Sequence, residues 1–290
     1  MLTYQDLEAR LAREVARRPD VHALIVVGSR ARTDHTADAW SDLDLVMFCV
    51  DTSIYMDDAG WLAMLGEPRL MILDHPDHHQ PEWFIVLPGG LRVDIMLVQV
   101  PVEAGDAIPL SHLLETFPYQ DVLRRGVRVL FARTESEQFD PGEPVGDNQP
   151  EYPSAAAFRD LVSRMFFEAL RAAKLVARGD LWRAKQSCDC ACKALLLTML
   201  EWYAHALHGL EHDVWYDGRF IERWAEPDVV AVLPQTFARY DRADMHRALQ
   251  ATLQLFGQVG RDTAAQLGYT YPAASEQQIL ADIAEMLEGI

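Results

Sequence analysis

Cysteine is scarce in this chain, with four residues in 290, and their spacing does not suggest a secreted disulfide framework. No apolar run reaches membrane-spanning length, and the first residues lack the charged–apolar–small pattern of a leader peptide. The expectation is a soluble, cytoplasmic protein. Internal repeats and low-complexity tracts are also missing. Positive charge is in short supply: 26 Lys and Arg face 44 Asp and Glu, for a net charge of −18. Nucleic-acid binding draws on Lys and Arg against phosphates, and no concentrated basic patch stands out, so no polynucleotide partner is expected. An acidic surface attracts small polycations, although it also serves solubility alone.

Half the residues are apolar, enough for one large domain or two medium ones. The first half reads as a mixed sheet with helices. An amphipathic helix is predicted over Thr3–Arg18, with strands at Val21–Val27, Leu43–Val50, Arg69–Leu73, Glu82–Leu87, Leu91–Val98 and Val127–Phe131. Pro88-Gly-Gly90 marks a hairpin turn, Ser53–Leu65 reads as one helix, and short helices are expected within Pro101–Pro118. Pro and Gly then cluster over residues 135–153. The predicted organisation is a first domain at 1–135, a linker at 136–153 and a helical bundle at 154–290. Its helices are expected at Ser154–Arg178, Leu181–Leu207, Val229–Tyr240, Met245–Leu267 and Ser275–Leu287. The fold class is α+β.

Chemistry concentrates in two stretches. Leu24-Ile-Val-Val-Gly-Ser-Arg-Ala-Arg-Thr33 reads as a strand that stops at Gly28, followed by Ser29 at a helix N-cap. A helix N-terminus there suits a polyphosphate. Trp40-Ser-Asp-Leu-Asp44 then opens a strand with Asp42 and Asp44, two apart and facing one side. A third carboxylate, Asp94, interrupts the apolar strand Leu91–Val98. Clustered carboxylates repel and are costly to desolvate, and a divalent cation removes that conflict. Hard oxygen ligands beside phosphates suit Mg²⁺.

This pattern of Gly-Ser, Asp-x-Asp and a later strand Asp resembles the polymerase-beta-like nucleotidyltransferase superfamily. Gly28-Ser-Arg30, Trp40–Asp44, Trp61-Leu with Leu65-Gly66, Leu91-Arg-Val-Asp94, Pro153-Ser-x-x-x-Phe158 and Lys174-x-x-Ala-Arg178 look like the aminoglycoside 6-adenylyltransferase family. The resemblance implies transfer of AMP from ATP and Mg²⁺ to a hydroxyl of a cationic aminoglycoside such as streptomycin. It implies Asp42, Asp44 and Asp94 as catalytic and metal-binding residues, with Gly28, Ser29, Arg30, Lys174 and Arg178 on the nucleotide. Asp94 is open between metal ligand and proton acceptor. The competing readings are a nucleotidyltransferase acting on a protein or tRNA, one acting on another antibiotic such as a lincosamide, and a non-catalytic relative.

Other candidates have plainer readings beside them. His75, His78 and His79 fit a surface loop better than a metal site, and Asp34 and Asp38 fit solvated loop positions. Cys188, Cys190 and Cys192 fit small buried helix residues. Trp182, Trp202 and Trp215 fit the bundle core better than a sugar pocket. Glu82, Trp83, Asp189 and Glu201 are candidates for holding an aminoglycoside.

Overall fold

The computed structural model describes residues 2–32, 37–74, 80–100, 108–134 and 151–288. The chain divides into two compact units, Met1–Asn148 and Gln149–Ile290. Predicted features at Asp34, at His75–His79 and over residues 135–150 lie outside the described residues.

The first unit is built on a six-stranded sheet. Its strands are β1 (Val21–Val27), β2 (Leu43–Cys49), β3 (Leu70–Asp74), β4 (Glu82–Val86), β5 (Arg92–Gln99) and β6 (Arg128–Ala132), in the order β3-β4-β5-β2-β1-β6. β2 and β5 pair in parallel at the centre and every other pair is antiparallel, so the sheet is mixed as predicted. β1 is buried along its whole length, which explains its apolar run, interrupted by buried His22. α1 (Tyr4–Val15) packs Leu7, Leu11 and Val15 on one face of the sheet. It is fixed at its start by a capping box: Thr3 Oγ1 accepts from Asp6 N, and Asp6 Oδ2 accepts from Thr3 N. On the other face, α3 (Leu110–Glu115) and α4 (Gln120–Arg124) bring Leu113, Leu114, Phe117 and Leu123 against Ile25, Val46 and Phe48.

Ser53–Leu65 is not one helix. α2 (Ser53–Asp57) ends at Asp58, whose extended backbone and bond from Gly60 N to Oδ1 start a separate 3₁₀ segment, Ala59–Leu65. An Asp that caps its own following turn competes with helix continuation. The break aligns buried Tyr55, whose carbonyl accepts from both Trp61 Nε1 and Trp83 Nε1.

The second unit is helical: α5 (Ala155–Arg178), α6 (Leu181–Gln186), α7 (Cys192–His208), α8 (Ile221–Trp224), α9 (Pro227–Thr236), α10 (Arg242–Leu267) and α11 (Ala273–Leu287). α5 starts where Ser154 Oγ accepts from Ala157 N and stops at left-handed Gly179. The predicted Leu181–Leu207 helix carries a π-helical turn at Ser187–Ala191, where Cys192 N reaches back to Ser187 O. α9 ends at Thr236, short of the predicted Tyr240, with Pro234 near its end. α10 begins three residues before Met245 because Asp241 caps it through Asp244 N. Among the described residues, no helix is long and apolar enough to cross a membrane.

Candidate active site

β1 lies antiparallel to β2, with Val27 opposite Asp44, so the chain leaves β1 beside that carboxylate. Gly28 takes φ +68°, and a Cβ there would collide with Asp44 Oδ2. Both constraints select glycine. Gly28–Arg30 forms a single 3₁₀ turn closed by Ala31 N to Gly28 O. Ser29 sits in the middle of that turn and makes no capping bond, contrary to the N-cap expectation. One turn aligns too few peptide dipoles for the field of a full helix N-terminus.

Arg30 does not point into open space. Its Nε donates to Asp42 O at 2.9 Å and its Nη2 to Ser41 O at 2.8 Å, and its guanidinium lies 3.6 Å from the Tyr4 ring centroid. It therefore fixes the backbone that carries Asp42. Asp42 itself precedes β2, so pleat geometry does not orient it. Before it, Ser41 and Asp38 bond each other reciprocally, with Ser41 Oγ donating to Asp38 Oδ1 at 3.0 Å. Asp38 is thus structural rather than simply solvated.

Asp44 and Asp94 are register partners on the parallel pair β2–β5 and share one sheet face. Asp94 is 6% exposed. Arg92, two residues earlier and on the same face, grips it with both prongs: Nη2 to Oδ2 at 2.8 Å and Nε to Oδ1 at 3.1 Å. The same guanidinium reaches Asp42 Oδ2 at 3.5 Å. Burial raises the proton affinity of Asp94 against the opposing effect of Arg92. Glu82, on the same face of β4, is pushed up to about 7 by burial and then by Asp94 and Asp44.

The expected three-carboxylate metal site takes a different form. Among the described residues, no three acidic, His or Cys side chains converge tightly enough to hold an ion. Arg92 stands between Asp42 and Asp94 instead. The donor chemistry still fits Mg²⁺, which takes one or two carboxylates and fills its remaining positions with water and phosphate oxygens. Asp42 and Asp44 would be the two carboxylates for that role. Arg92 was missed in the sequence, although its spacing of two from Asp94 on a strand signals a shared face.

The remaining candidates separate. Trp83 faces the opposite core and donates to Tyr55 O, which removes it from the carboxylate face. Lys174 and Arg178 are exposed on α5, four apart on one helix face in the second unit. Arg171 shares that face but is paired with Glu168 at 3.2 Å. Asp189 is committed to an ion pair with Lys185, and its Oδ1 accepts from Ala238 N. Glu201 is half-buried in α7 and pushed up to about 7 by burial and Asp217. Cys188 and Cys192 are buried, and burial pushes their thiols up to about 11 and about 12. Cys190 is exposed, unlike its neighbours. Trp215 is buried and Trp202 partly so, but Trp182 is 68% exposed because the short α6 buries only Ala184.

A mixed sheet with a Gly-Ser turn facing Asp-x-Asp and a third carboxylate on the adjoining strand defines a nucleotidyltransferase. Residues 1–286 match the streptomycin adenylyltransferase family, and the chain belongs to that family of enzymes. It is 22% identical over 259 residues to an aminoglycoside 6-adenylyltransferase of Campylobacter jejuni, covering 89% of this chain and 86% of that one. A Bacillus subtilis aminoglycoside 6-adenylyltransferase is 22% identical over 282 residues, covering 93% and 91%. A crystal structure of an aminoglycoside 6-adenyltransferase from Bacillus subtilis aligns over 99% of this chain and 100% of that one, with 16% identity and a TM-score of 0.46.

Proposed function

We propose that the protein transfers AMP from ATP, with Mg²⁺, to a hydroxyl of an aminoglycoside such as streptomycin, in the cytoplasm. The observation that carries this reading is the register pairing of Asp44 with Asp94 beside the Gly28–Ser29 turn. Family membership supplies the adenylyl chemistry, and the aminoglycoside named for the relatives matches the net charge of −18.

The acceptor oxygen attacks the α-phosphorus, the new P–O bond forms, and the bond to the β-phosphate oxygen breaks so that pyrophosphate leaves. Asp42 and Asp44 would hold Mg²⁺, which offsets phosphate charge when bound. Arg30 keeps the Asp42 backbone in place. Arg92 orients Asp94, and Asp94 takes the acceptor hydroxyl proton. Ser29 would serve the phosphates from its turn, and the family resemblance assigns Lys174 and Arg178 of the second unit to the nucleotide.

Purified protein given ATP, Mg²⁺ and streptomycin should release pyrophosphate and form a product heavier by one adenylyl group. A flat pyrophosphate signal across a panel of aminoglycosides overturns the proposal. Label from ATP appearing on macromolecules in a lysate, with none on added drug, would favour a protein or tRNA substrate instead.

A further inference from the structure

The face of the sheet that carries Asp44 and Asp94 is covered unevenly. Over β1 and β2 it lies beneath α3 and α4. Over β3, among the described residues, its side chains Leu70 and Ile72 stay exposed. Register places Ile72 opposite Phe84 and Phe84 opposite Asp94, so these side chains continue the same row outward from the carboxylates. The next row runs from Met96 to Glu82 to Asp74. Leu70 is 52% and Ile72 48% exposed, while Phe84, Val86 and Met96 are half-buried. Alternate residues Met71, Leu73, Trp83 and Ile85 point into the opposite core. An exposed apolar strand face beside an acidic centre is costly to leave to water and marks a contact surface.

Glu82 is the polar feature of this surface. It is half-buried, and among the described residues its carboxylate has no hydrogen-bond or ion-pair partner, whereas Asp94 nearby is gripped by Arg92. Arg92 also lies 5.6 Å from the Phe84 ring centroid, closing the platform on the carboxylate side.

We infer that this face of β3–β4–β5 is the platform on which the acceptor lies, and that Glu82 holds one of its ammonium or guanidinium groups. This rests on the aminoglycoside reading above. A sugar ring presents an apolar C–H face and cationic edges, which matches an apolar floor with a carboxylate at its rim. The platform ends at Asp94, so an acceptor lying on it presents a hydroxyl to the carboxylate that takes its proton. Glu82 then sets which acceptor binds, and Asp94 acts in the chemistry.

The test is steady-state kinetics with streptomycin and ATP on the wild type, Glu82→Gln, Glu82→Asp and Ile72→Lys. Ile72 is exposed enough for the new side chain to leave the core intact. Loss of a charge-assisted contact in Glu82→Gln, and a like charge set on the apolar floor in Ile72→Lys, each predict a rise of about tenfold or more in KM for streptomycin. KM for ATP should be unchanged, and Glu82→Asp should recover part of the effect. Unchanged streptomycin KM in both variants of an active enzyme overturns the platform and leaves the transfer reaction standing. A collapse of kcat at constant KM would put Glu82 in the chemistry and also overturn it. Should the wild type modify no aminoglycoside, the functional reading fails by itself. Calorimetric binding of streptomycin to the wild type and Ile72→Lys then decides the platform, with equal or no binding in both counting against it.

Discussion

A side chain at position 28 would collide with the carboxylate of Asp44. The turn that follows β1 and the carboxylate that opens β2 are therefore one structural unit. Gly28→Ala imposes a methyl both on that contact and on a backbone at φ +68°. The expected cost is about 1–3 kcal/mol of stability. Because Asp44 has to move, turnover should fall by more than the stability loss explains. Urea denaturation and pyrophosphate release, measured on the same preparation, check this.

Asp42→Asn and Asp44→Asn each remove one anionic oxygen donor with almost no change in volume. Both should keep the wild-type thermal midpoint and lower kcat by roughly 10²-fold or more. Undiminished turnover in either variant would show that the ion, or the phosphates, sit elsewhere.

Arg30 predicts a more selective effect. Its fork spans two carbonyls, Ser41 O and Asp42 O, and its plane stacks on Tyr4. Lysine keeps the charge but cannot make two parallel bonds or the stack. Arg30→Lys should therefore lower kcat by about tenfold through misplacement of Asp42, with little change in KM for ATP. A large rise in that KM with kcat intact would mean instead that Arg30 contacts the nucleotide.

Arg92 and Asp94 form a two-pronged pair with one partner buried and the other 46% exposed. Solvent at the guanidinium weakens the pair, so a double-mutant cycle with Arg92→Ala and Asp94→Asn should give a coupling of only about 1 kcal/mol. Arg92→Ala alone should cost more than Asp94→Asn alone, because it leaves a buried carboxylate without its cation.

Much of this architecture was legible because each signal was local. Gly28 ends an apolar run, Pro88-Gly-Gly90 turns a hairpin, and Asp44 and Asp94 break apolar strands near their starts. What was not legible depends on pairing or on small changes of pitch. The period-2 pattern places Glu82 and Trp83 on opposite faces, but only the register with β5 shows that Glu82 joins the Asp94 side and Trp83 the core. The π-helical turn at Ser187–Ala191 adds a residue to one turn with no compositional mark. Ser29 reads as a cap because it follows Gly28, where the apolar strand stops. Here the chain closes only one turn while Arg30 bonds backward to the Asp42 loop. The break at Asp58 was readable in Asp57-Asp-Ala-Gly60, where an Asp two residues before Gly favours a turn over a continuing helix.

Glu201 gives a stability prediction separate from catalysis. Burial, and then Asp217, push its carboxyl up to about 7, against an ordinary value of 4.5. The folded protein thus holds a proton that the unfolded chain releases above pH 4.5. Between about pH 4.5 and 7 the native state binds more protons than the unfolded state, so stability falls as pH rises across that window. Glutamine has nearly the same shape and no charge to desolvate. Glu201→Gln should raise the thermal midpoint by on the order of a few degrees at pH 8 and leave it almost unchanged at pH 4. Thermal melts of both proteins at the two pH values decide it. An equal shift at both would mean that packing, rather than the buried charge, accounts for the change.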